Sequence, residues 1–296
     1  MIPYFAQPRL HLFGPLYLHG FGVMVAASLA VSWLVSAARC RKTGLDPERM
    51  QDMFTWIIVT AFIVAHLYSV LAYYPQDVMR NPLMLLKVWE NISSFGGIVG
   101  GVSGYWLYMR FKGSGVSFQE RIRFLDVIAY TFPFGWVFGR LGCTLAHDHP
   151  GAITSFPLAV SLESPAARSF IRLVYEEAGR LPELASMGNL SRLGFHDLGW
   201  YEFLFTAFLI VPVFLLLDRK QRAPGFYFML FLMLYIPVRF LLDFLRVADA
   251  TYLGFTPGQY AAAAAFIAVS ALALTGFPSR GRWESRPAAT RKNQRL

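Results

Sequence analysis

The sequence has few charged residues and few cysteines for its length. Asp, Glu, Lys and Arg make up 15% of the 296 residues, while hydrophobic residues make up 55%. Because charged residues account for about 25% of an ordinary soluble domain, this composition excludes that class. The two cysteines, Cys40 and Cys143, fall at opposite ends of the predicted membrane helices, which argues against a disulfide between them.

Seven apolar stretches are close to the roughly 20 residues that a helix needs to cross a bilayer. No basic region precedes the first stretch, and it stays apolar beyond the usual length of a signal sequence, so we expect a retained helix. The sequence therefore predicts an all-α integral membrane protein with seven transmembrane helices. The stretches are 17–38, 53–74, 95–111, 124–145, 200–217, 225–245 and 257–277.

Lysine and arginine are distributed unevenly among the predicted connections. Connections one, three and five and the C-terminal segment carry about twice as many of them as the opposite side does. This asymmetry predicts an N-terminus outside and a C-terminus inside. The net charge of +9 then reflects topology and attraction to anionic lipid head groups, and we expect no nucleic-acid partner.

We predict a single membrane domain over residues 1–277 with one large outer loop. The loop covers about 146–199, between the fourth and fifth helices, and is rich in charges. Within it, 166–178 has the pattern of an amphipathic helix lying on the outer surface. The segment 278–296 is basic and poor in large apolar residues, which predicts a disordered tail on the inner side.

The third apolar stretch has two rows of glycine. Gly96, Gly100 and Gly104 recur every four residues, as do Gly97 and Gly101. A helix face without side chains lets another helix approach closely, so we predict close helix packing there. A groove for a lipid chain is the alternative.

Two arginines, Arg140 and Arg239, lie inside predicted membrane helices. An arginine at the centre of a membrane helix costs at least about 2.5–3.5 kcal/mol, and its guanidinium stays charged. Such a residue either extends to the interface or faces a polar cavity where it binds an anion.

The sixth helix carries polar residues on the same face as Arg239. Tyr235, Arg239 and Asp243 are spaced by four residues, and Arg246 follows near the outer end. Two interpretations are open. Arg239 and Asp243 either form an ion pair that serves stability alone, or they belong to a binding site that also uses Arg246.

The fourth helix has a comparable face formed by Arg140, Cys143 and His147, and the chain continues with Asp148 and His149. Imidazole and carboxylate groups at the end of a membrane helix suit proton transfer. The two histidines with one aspartate are weak evidence for a metal, and we expect neither a metal nor a cofactor.

Both helices bring a guanidinium to a similar depth. Two planar donor groups that converge suit a phosphodiester, so the residues predict an outward-opening site for an anionic lipid head group. A proton-coupled transporter is a rival interpretation, although no pair of broken helices in related halves supports it.

Six short motifs follow one another along the predicted helices. They are Gly14-Pro15-Leu16 with Phe21-Gly22-Val23-Met24, Val88-Trp89-Glu90 with Ser94-Phe95-Gly96-Gly97, Gly139-Arg140-Leu141-Gly142-Cys143 with Gly151, His196 with Tyr201-Glu202, Tyr235 with Arg239, Asp243, Arg246 and Asp249, and Gly258-Gln259. In this order they resemble the prolipoprotein diacylglyceryl transferase family of seven-helix bacterial inner-membrane enzymes.

The resemblance implies transfer of diacylglyceryl from phosphatidylglycerol to the lipobox cysteine of a preprolipoprotein signal peptide, as a thioether. It also implies a multi-pass protein of the bacterial inner membrane, surrounded by membrane lipids, whose active site opens toward the periplasm. Arg140 and Arg239 would contact the lipid phosphate. The further substrate-binding positions that it implies are Tyr235, Asp243, Arg246, Cys143, Gly151, Phe21, Gly96, Gly97, His196 and Glu202.

The sequence departs from the family pattern at several of these positions. Phe21 replaces a tyrosine, Phe95 stands where a histidine precedes the double glycine, and Cys143 replaces an asparagine. Asp148 and Asp243 replace glutamates and keep a carboxylate on a shorter side chain.

Two accounts fit these departures. In the first, the chemistry is kept, and His147, Asp148 or His149 takes the proton of the attacking thiol. In the second, the phosphate site is kept while the acceptor or the chemistry has changed. Cys143 is then itself a nucleophile, or the protein binds phospholipid without catalysis.

Overall fold

The computed structural model describes residues 1–14, 16–88, 92–247, 249 and 251–277, most of them helical. The predictions made for Pro15, Trp89, Glu90 and the segment 278–296 lie outside these residues. The helices are α1 (Gly20–Thr43), α2 (Pro47–Tyr73), α3 (Pro75–Arg80), α4 (Ser94–Phe111), α5 (Phe118–Ala146), α6 (Pro165–Glu177), α7 (Leu181–Ser186), α8 (Leu198–Phe205), α9 (Val211–Leu217), α10 (Phe226–Leu242) and α11 (Pro257–Leu274). A π-helical turn (Thr206–Ile210) joins α8 to α9, and 3-10 turns cover Pro82–Leu86, Leu190–Arg192 and Asp243–Leu245.

Within the described ranges, five helical segments are long and apolar enough to cross a membrane, judged by length and composition. They are Gly20–Thr43, Pro47–Tyr73, Leu198–Leu217, Phe226–Leu245 and Pro257–Leu274. The predicted helical membrane protein is thereby confirmed. The third and fourth predicted spans coincide with α4 and α5, which are not among these five segments. Glycines make α4 less apolar, and charged residues make α5 less apolar. Seven spans and their orientation stay predictions.

Several helices begin where the sequence provides a cap. The Asp46 side chain accepts from the backbone N–H of Glu48, and Pro47 occupies the first turn of α2. Thr256 and Gln259 form a capping box at the start of α11. Such caps satisfy backbone donors that have no partner inside the helix.

Two small antiparallel sheets depart from the all-α prediction. Strands β1 (Arg9–Phe13) and β2 (Leu16–His19) form a hairpin. Strands β3 (Pro150–Thr154), β4 (Val160–Ser161) and β5 (Gly194–Asp197) form a sheet in the order β3-β5-β4. These strands have two to five residues, which is too short for a clear alternation of apolar and polar residues.

The predicted outer loop contains a folded body, the head (residues 150–197), with its own apolar core. The helix predicted at 166–178 is confirmed as α6, displaced by one residue. Its location on the outer side stays a prediction, and its apolar face packs into the head instead of being free to lie on a membrane surface. Ala167, Ile171 and Tyr175 are fully buried there, together with Phe195 of β5.

The chain divides into two compact units, one formed by residues 1–32 and those from 128 onward, the other by Trp33–Val127. In the second unit α4 packs on α2 along the glycine row. A Cβ atom on Gly100 would lie 2.7 Å from the Thr60 carbonyl oxygen, and one on Gly104 would lie 2.8 Å from the Ile57 Cα. The predicted close packing is confirmed, and this row is not an open groove.

Candidate functional site

Arg140 lies on α5 inside the first unit, with only 5% of its surface exposed. Its guanidinium carbon is 4.3 Å from the centroid of the Trp136 ring, one helical turn earlier. Its Nε lies 2.9 Å from Oε2 of Glu202, and its Nη2 donates to the Tyr235 hydroxyl at 3.4 Å. Arg140 therefore faces polar partners inside the protein and does not extend to the interface.

Glu202, on α8, is the fully buried carboxylate that joins the two membrane arginines. Arg239 Nη1 of α10 donates to its Oε1 at 3.3 Å, while Arg140 approaches its other oxygen. The Tyr235 hydroxyl donates to Glu202 and accepts a hydrogen bond from Trp136 Nε1 at 3.1 Å. One carboxylate thus holds guanidiniums from two helices in one place.

Asp243 forms a second carboxylate centre at the end of α10. Its Oδ1 lies 2.9 Å from Arg239 Nη2 and 3.7 Å from Arg246 Nη1. Its Oδ2 accepts from the Thr256 hydroxyl at 3.1 Å, at the positive N-terminal end of α11. The predicted Arg239–Asp243 pair is present, but Arg239 also contacts Glu202, so the pair is not self-contained.

These five charged residues, Arg140, Arg239, Arg246, Glu202 and Asp243, are called the arginine cluster. Three guanidiniums meet two buried carboxylates, which leaves an excess of one positive charge. Arg246 Nε also contacts Asp249 at 3.0 Å, but the Asp249 side chain is one-third exposed. Because water screens exposed pairs, the cluster remains suited to one further anionic group.

Glycines allow the elements around the cluster to approach closely. A Cβ on Gly142 would lie 3.3 Å from the Phe21 ring of α1, and one on Gly199 would lie 2.9 Å from the Cys143 Cβ. A Cβ on Gly151 would collide with the Leu245 carbonyl oxygen, where β3 forms a bridge with Arg246. The head is thereby attached to the end of α10 that carries Arg246.

His147, predicted to handle a proton, has partners in the head and the N-terminal segment. Its Nδ1 lies 2.6 Å from Asp197 Oδ2, and its Nε2 lies 3.1 Å from the Phe5 carbonyl oxygen. The ring is 2% exposed and stacks on Tyr4. Asp197 also caps α8, the helix that carries Glu202. This geometry is that of a positioning residue, and a catalytic role for His147 remains a prediction.

Asp148 and His149 form a contact pair at the end of α5. The Asp148 side chain is 37% exposed and that of His149 is 12% exposed. Their ligand atoms lie within 4.8 Å of the Cys143 sulfur, and Arg140 Nη1 lies 3.6 Å from that sulfur. Among the residues predicted to handle a proton, Asp148 and His149 lie close to the Cys143 sulfur, which in turn lies beside Arg140.

His196, on β5, lines an apolar cavity of about 410 Å³ together with Phe156, Leu158 and Leu245. Its Nδ1 is 2.8 Å from the Tyr201 hydroxyl. Burial lowers the pKa of His196 below its ordinary value, because the apolar surroundings disfavour the charged ring. The surroundings of His196 therefore favour the neutral form of its ring, which is a hydrogen-bonding group beside an apolar pocket.

Gly96 and Gly97, predicted to bind substrate, lie on α4 in the second unit, where a Cβ on Gly96 would lie 2.9 Å from the Ala65 Cα.

Sequence reasoning missed Trp136, Asp197 and Thr256 as supporting residues. Trp136 had a usable signal, since it precedes Arg140 by four residues on a helix. Asp197 and Thr256 had none that distinguished them from ordinary helix caps.

The fold and the site define a helical membrane protein with a buried arginine–carboxylate cluster and a small α/β head. A sequence profile of the prolipoprotein diacylglyceryl transferase family matches residues 8–275. The chain belongs to this family, which confirms the predicted family and the predicted enzyme class, a transferase.

Relatives named phosphatidylglycerol–prolipoprotein diacylglyceryl transferase include proteins from Pseudomonas and Xanthomonas. The protein from Pseudomonas aeruginosa strain UCBPP-PA14 is 27% identical over 242 residues, which cover 80% of this chain and 79% of the relative. The proteins from Xanthomonas axonopodis pv. citri and Xanthomonas oryzae pv. oryzae strain PXO99A are both 29% identical, over 269 and 265 residues. Each alignment covers 86% of this chain and 85% of the Xanthomonas protein.

Proposed function

We propose that this protein transfers diacylglyceryl from phosphatidylglycerol to the lipobox cysteine of preprolipoproteins in the bacterial inner membrane, at a site that opens to the periplasm. The observation that carries the proposal is the convergence of Arg140 and Arg239 on Glu202. The family and the names of the relatives support the two substrates.

The excess positive charge of the arginine cluster matches the single negative charge of a phosphodiester. Arg140 and Arg239 hold the lipid phosphate, with Tyr235 and Arg246 as neighbouring donors. The peptide sulfur forms a bond to the terminal glyceryl carbon while the bond from that carbon to the phosphate oxygen breaks. Glycerol phosphate leaves with the electron pair, and the guanidiniums stabilise its growing charge.

The thiol must lose its proton to become an effective nucleophile. We assign this proton to the Asp148–His149 pair, because it adjoins Cys143 and Arg140 and is partly exposed. His147 supports the site through Asp197 and α8, since both of its ring nitrogens are already engaged.

The test is formation of the adduct by protein purified in detergent. Phosphatidylglycerol and a lipobox peptide are supplied, and mass spectrometry measures the diacylglyceryl group on the peptide cysteine. Arg140→Ala and Arg239→Ala should each lower turnover by at least about 100-fold, as expected when a preorganised donor to a developing charge is lost. Arg80→Ala, at an exposed arginine on α3, is the matched control and should retain activity.

Retained activity in either variant that purifies as a folded protein would refute the assignment. A second candidate is phospholipid binding without turnover. It is favoured by the engagement of both His147 nitrogens and by Phe95 at the position of the family histidine. Phosphatidylglycerol binding with no adduct would support that candidate and contradict the transferase.

A further inference from the structure

Three different metal-binding side chains meet at the C-terminal end of α5. The Cys143 sulfur, an Asp148 carboxylate oxygen and a His149 ring nitrogen all lie within 4.8 Å of one another. The helix ends at Ala146, and His147 follows with a φ of 49°. This left-handed residue reverses the chain, and the Asp148 N–H donates back to the Cys143 carbonyl oxygen at 3.4 Å. The turn thereby brings Asp148 and His149 to the sulfur.

We propose that Cys143, Asp148 and His149 form a binding site for Zn²⁺. Zinc accepts sulfur, nitrogen and oxygen ligands at about 2.0–2.3 Å, and a thiolate ligand favours it over the harder cations. The three donor atoms lie within 4.8 Å of one another, and side-chain rotations that open the contact between Asp148 and His149 would bring them around one ion. This trio differs from the two histidines and one aspartate that the sequence pattern offers, because His147 points to Asp197 and Phe5.

The surrounding charges are compatible with a divalent cation. A thiolate and a carboxylate supply two negative charges, and they would repel each other without a cation between them. Arg140 Nη1 is placed to donate to the sulfur at 3.6 Å, as groups around a metal commonly do to its ligands. The charge of Arg140 is partly offset by Glu202 at 2.9 Å, a carboxylate that Arg140 shares with Arg239.

Three protein ligands leave one position of a tetrahedral zinc ion open, which is typical of reactive sites. The partly exposed Asp148 side chain leaves that position accessible. A peptide thiol that binds there becomes a thiolate and releases its proton to water. In a reading that rests on the proposed function, this thiolate forms the bond to the glyceryl carbon as glycerol phosphate leaves. Asp148 and His149 then act as zinc ligands, and zinc takes the place of the Asp148–His149 pair as the group that activates the thiol.

The first experiment measures zinc and cobalt binding by the full chain, purified in detergent without a histidine tag. We expect one zinc ion per chain after gel filtration, and a thiolate-to-metal absorption band with Co²⁺. Cys143→Ser should abolish the band, and His149→Gln should weaken zinc binding at least about tenfold. Cys40→Ser and His19→Gln are the matched controls, at the other cysteine and at an exposed histidine, and should bind as the parent does.

Absence of stoichiometric zinc in the parent, or equal binding in Cys143→Ser, would overturn the site. If Cys143→Ser fails to fold, Asp148→Asn serves as the second ligand variant, with the same expected loss of binding. Adduct formation that persists in a metal-free protein with chelator would refute zinc activation while leaving the proposed function intact. Zinc binding in a protein that forms no adduct would support the site and contradict the transferase.

Discussion

The contact between α2 and α4 and the arginine cluster represent two ways of holding helices together. Between α2 and α4, glycines bring backbone against backbone, as at Gly100 and Thr60. In the arginine cluster, helices α5, α8, α10 and α11 meet through charged and hydroxyl side chains, such as Arg140, Glu202 and Thr256. The first arrangement depends on shape and the second on charge.

The two arrangements differ in what they contribute to the protein, since the α2–α4 contact serves packing and the charges of the arginine cluster exceed what packing needs. Close packing in a membrane gains from many weak contacts that any added atom disturbs. A buried ion-pair network is weak evidence for stability, because desolvation offsets its attraction. The excess positive charge within the arginine cluster instead supports the phosphate-binding role that we propose for it. A substitution that removes a charge but keeps the volume should therefore destabilise the arginine cluster. A substitution that adds volume but leaves the charge unchanged should destabilise the contact between α2 and α4.

The largest expected effect on stability is that of Glu202→Gln. This change keeps the volume but leaves Arg140 and Arg239 without their shared carboxylate. Breaking a buried ion pair by removing one partner costs about 3–5 kcal/mol. Thermal unfolding in detergent should show this loss, and phosphatidylglycerol should stabilise the variant more than the parent because its phosphate supplies the missing negative charge.

Glu183→Gln provides the matched control for Glu202→Gln. Glu183 pairs with Arg180 at 2.7 Å on the head, where both side chains are more than one-third exposed. An exposed pair of this kind contributes about 0–1 kcal/mol. If the two variants lost equal stability, or if lipid failed to stabilise the Glu202 variant selectively, the cluster would not be a charge-dependent site.

A smaller effect is expected when Gly100 is changed to alanine. The new Cβ would lie 2.7 Å from the Thr60 carbonyl oxygen and 2.8 Å from the Ala61 Cα, so the two backbones must separate. Overpacking of this kind costs about 1–3 kcal/mol. Thermal unfolding in detergent measures the change.

Gly101→Ala tests whether position rather than glycine content sets this loss. A Cβ on Gly101 would lie 3.8 Å from Ile57 Cγ2, which is an ordinary contact. We expect Gly101→Ala to be neutral or stabilising, since alanine restricts the unfolded chain. Equal destabilisation by the two alanines would contradict the role given to the glycine row.

Local sequence patterns were sufficient for the helices and for two residues of the arginine cluster. The length of the apolar stretches located the long helices. The four-residue spacing of glycine predicted the contact that Gly96, Gly100 and Gly104 of α4 make with α2. Arg140 and Arg239 were identified because a charge inside an apolar helix needs a partner. Each of these signals lies within one helix, where spacing determines which residues share a face.

The features that the sequence did not reveal depend on contacts between distant segments. Glu202 was implied only as a substrate-binding position, and nothing around it in the chain indicates that it joins Arg140 to Arg239. His147 has the spacing of a site residue, but the turn after α5 directs it to Asp197 and Phe5. The head was predicted as a loop because its strands are short and its core residues come from separate segments.

The smallest expected effect is a pH dependence at the join between the head and α8. Burial lowers the pKa of His196, so the folded protein favours the neutral ring, whereas the unfolded chain accepts a proton near the ordinary value of 6.5. The stability from the neutral ring is thus fully present above about pH 6.5 and is lost as the pH falls toward the lower pKa of the folded state.

The measurement compares the midpoint of thermal unfolding of the parent and of His196→Gln between pH 7.5 and pH 5. Glutamine can still bond to the Tyr201 hydroxyl but does not titrate, so the parent should lose more stability on acidification than the variant does. Other titrating groups act on both proteins alike and cancel in the difference. Identical pH dependence would mean that water solvates the ring in the folded protein as it does in the unfolded chain, and that the apolar pocket at Phe156 and Leu245 does not shield it.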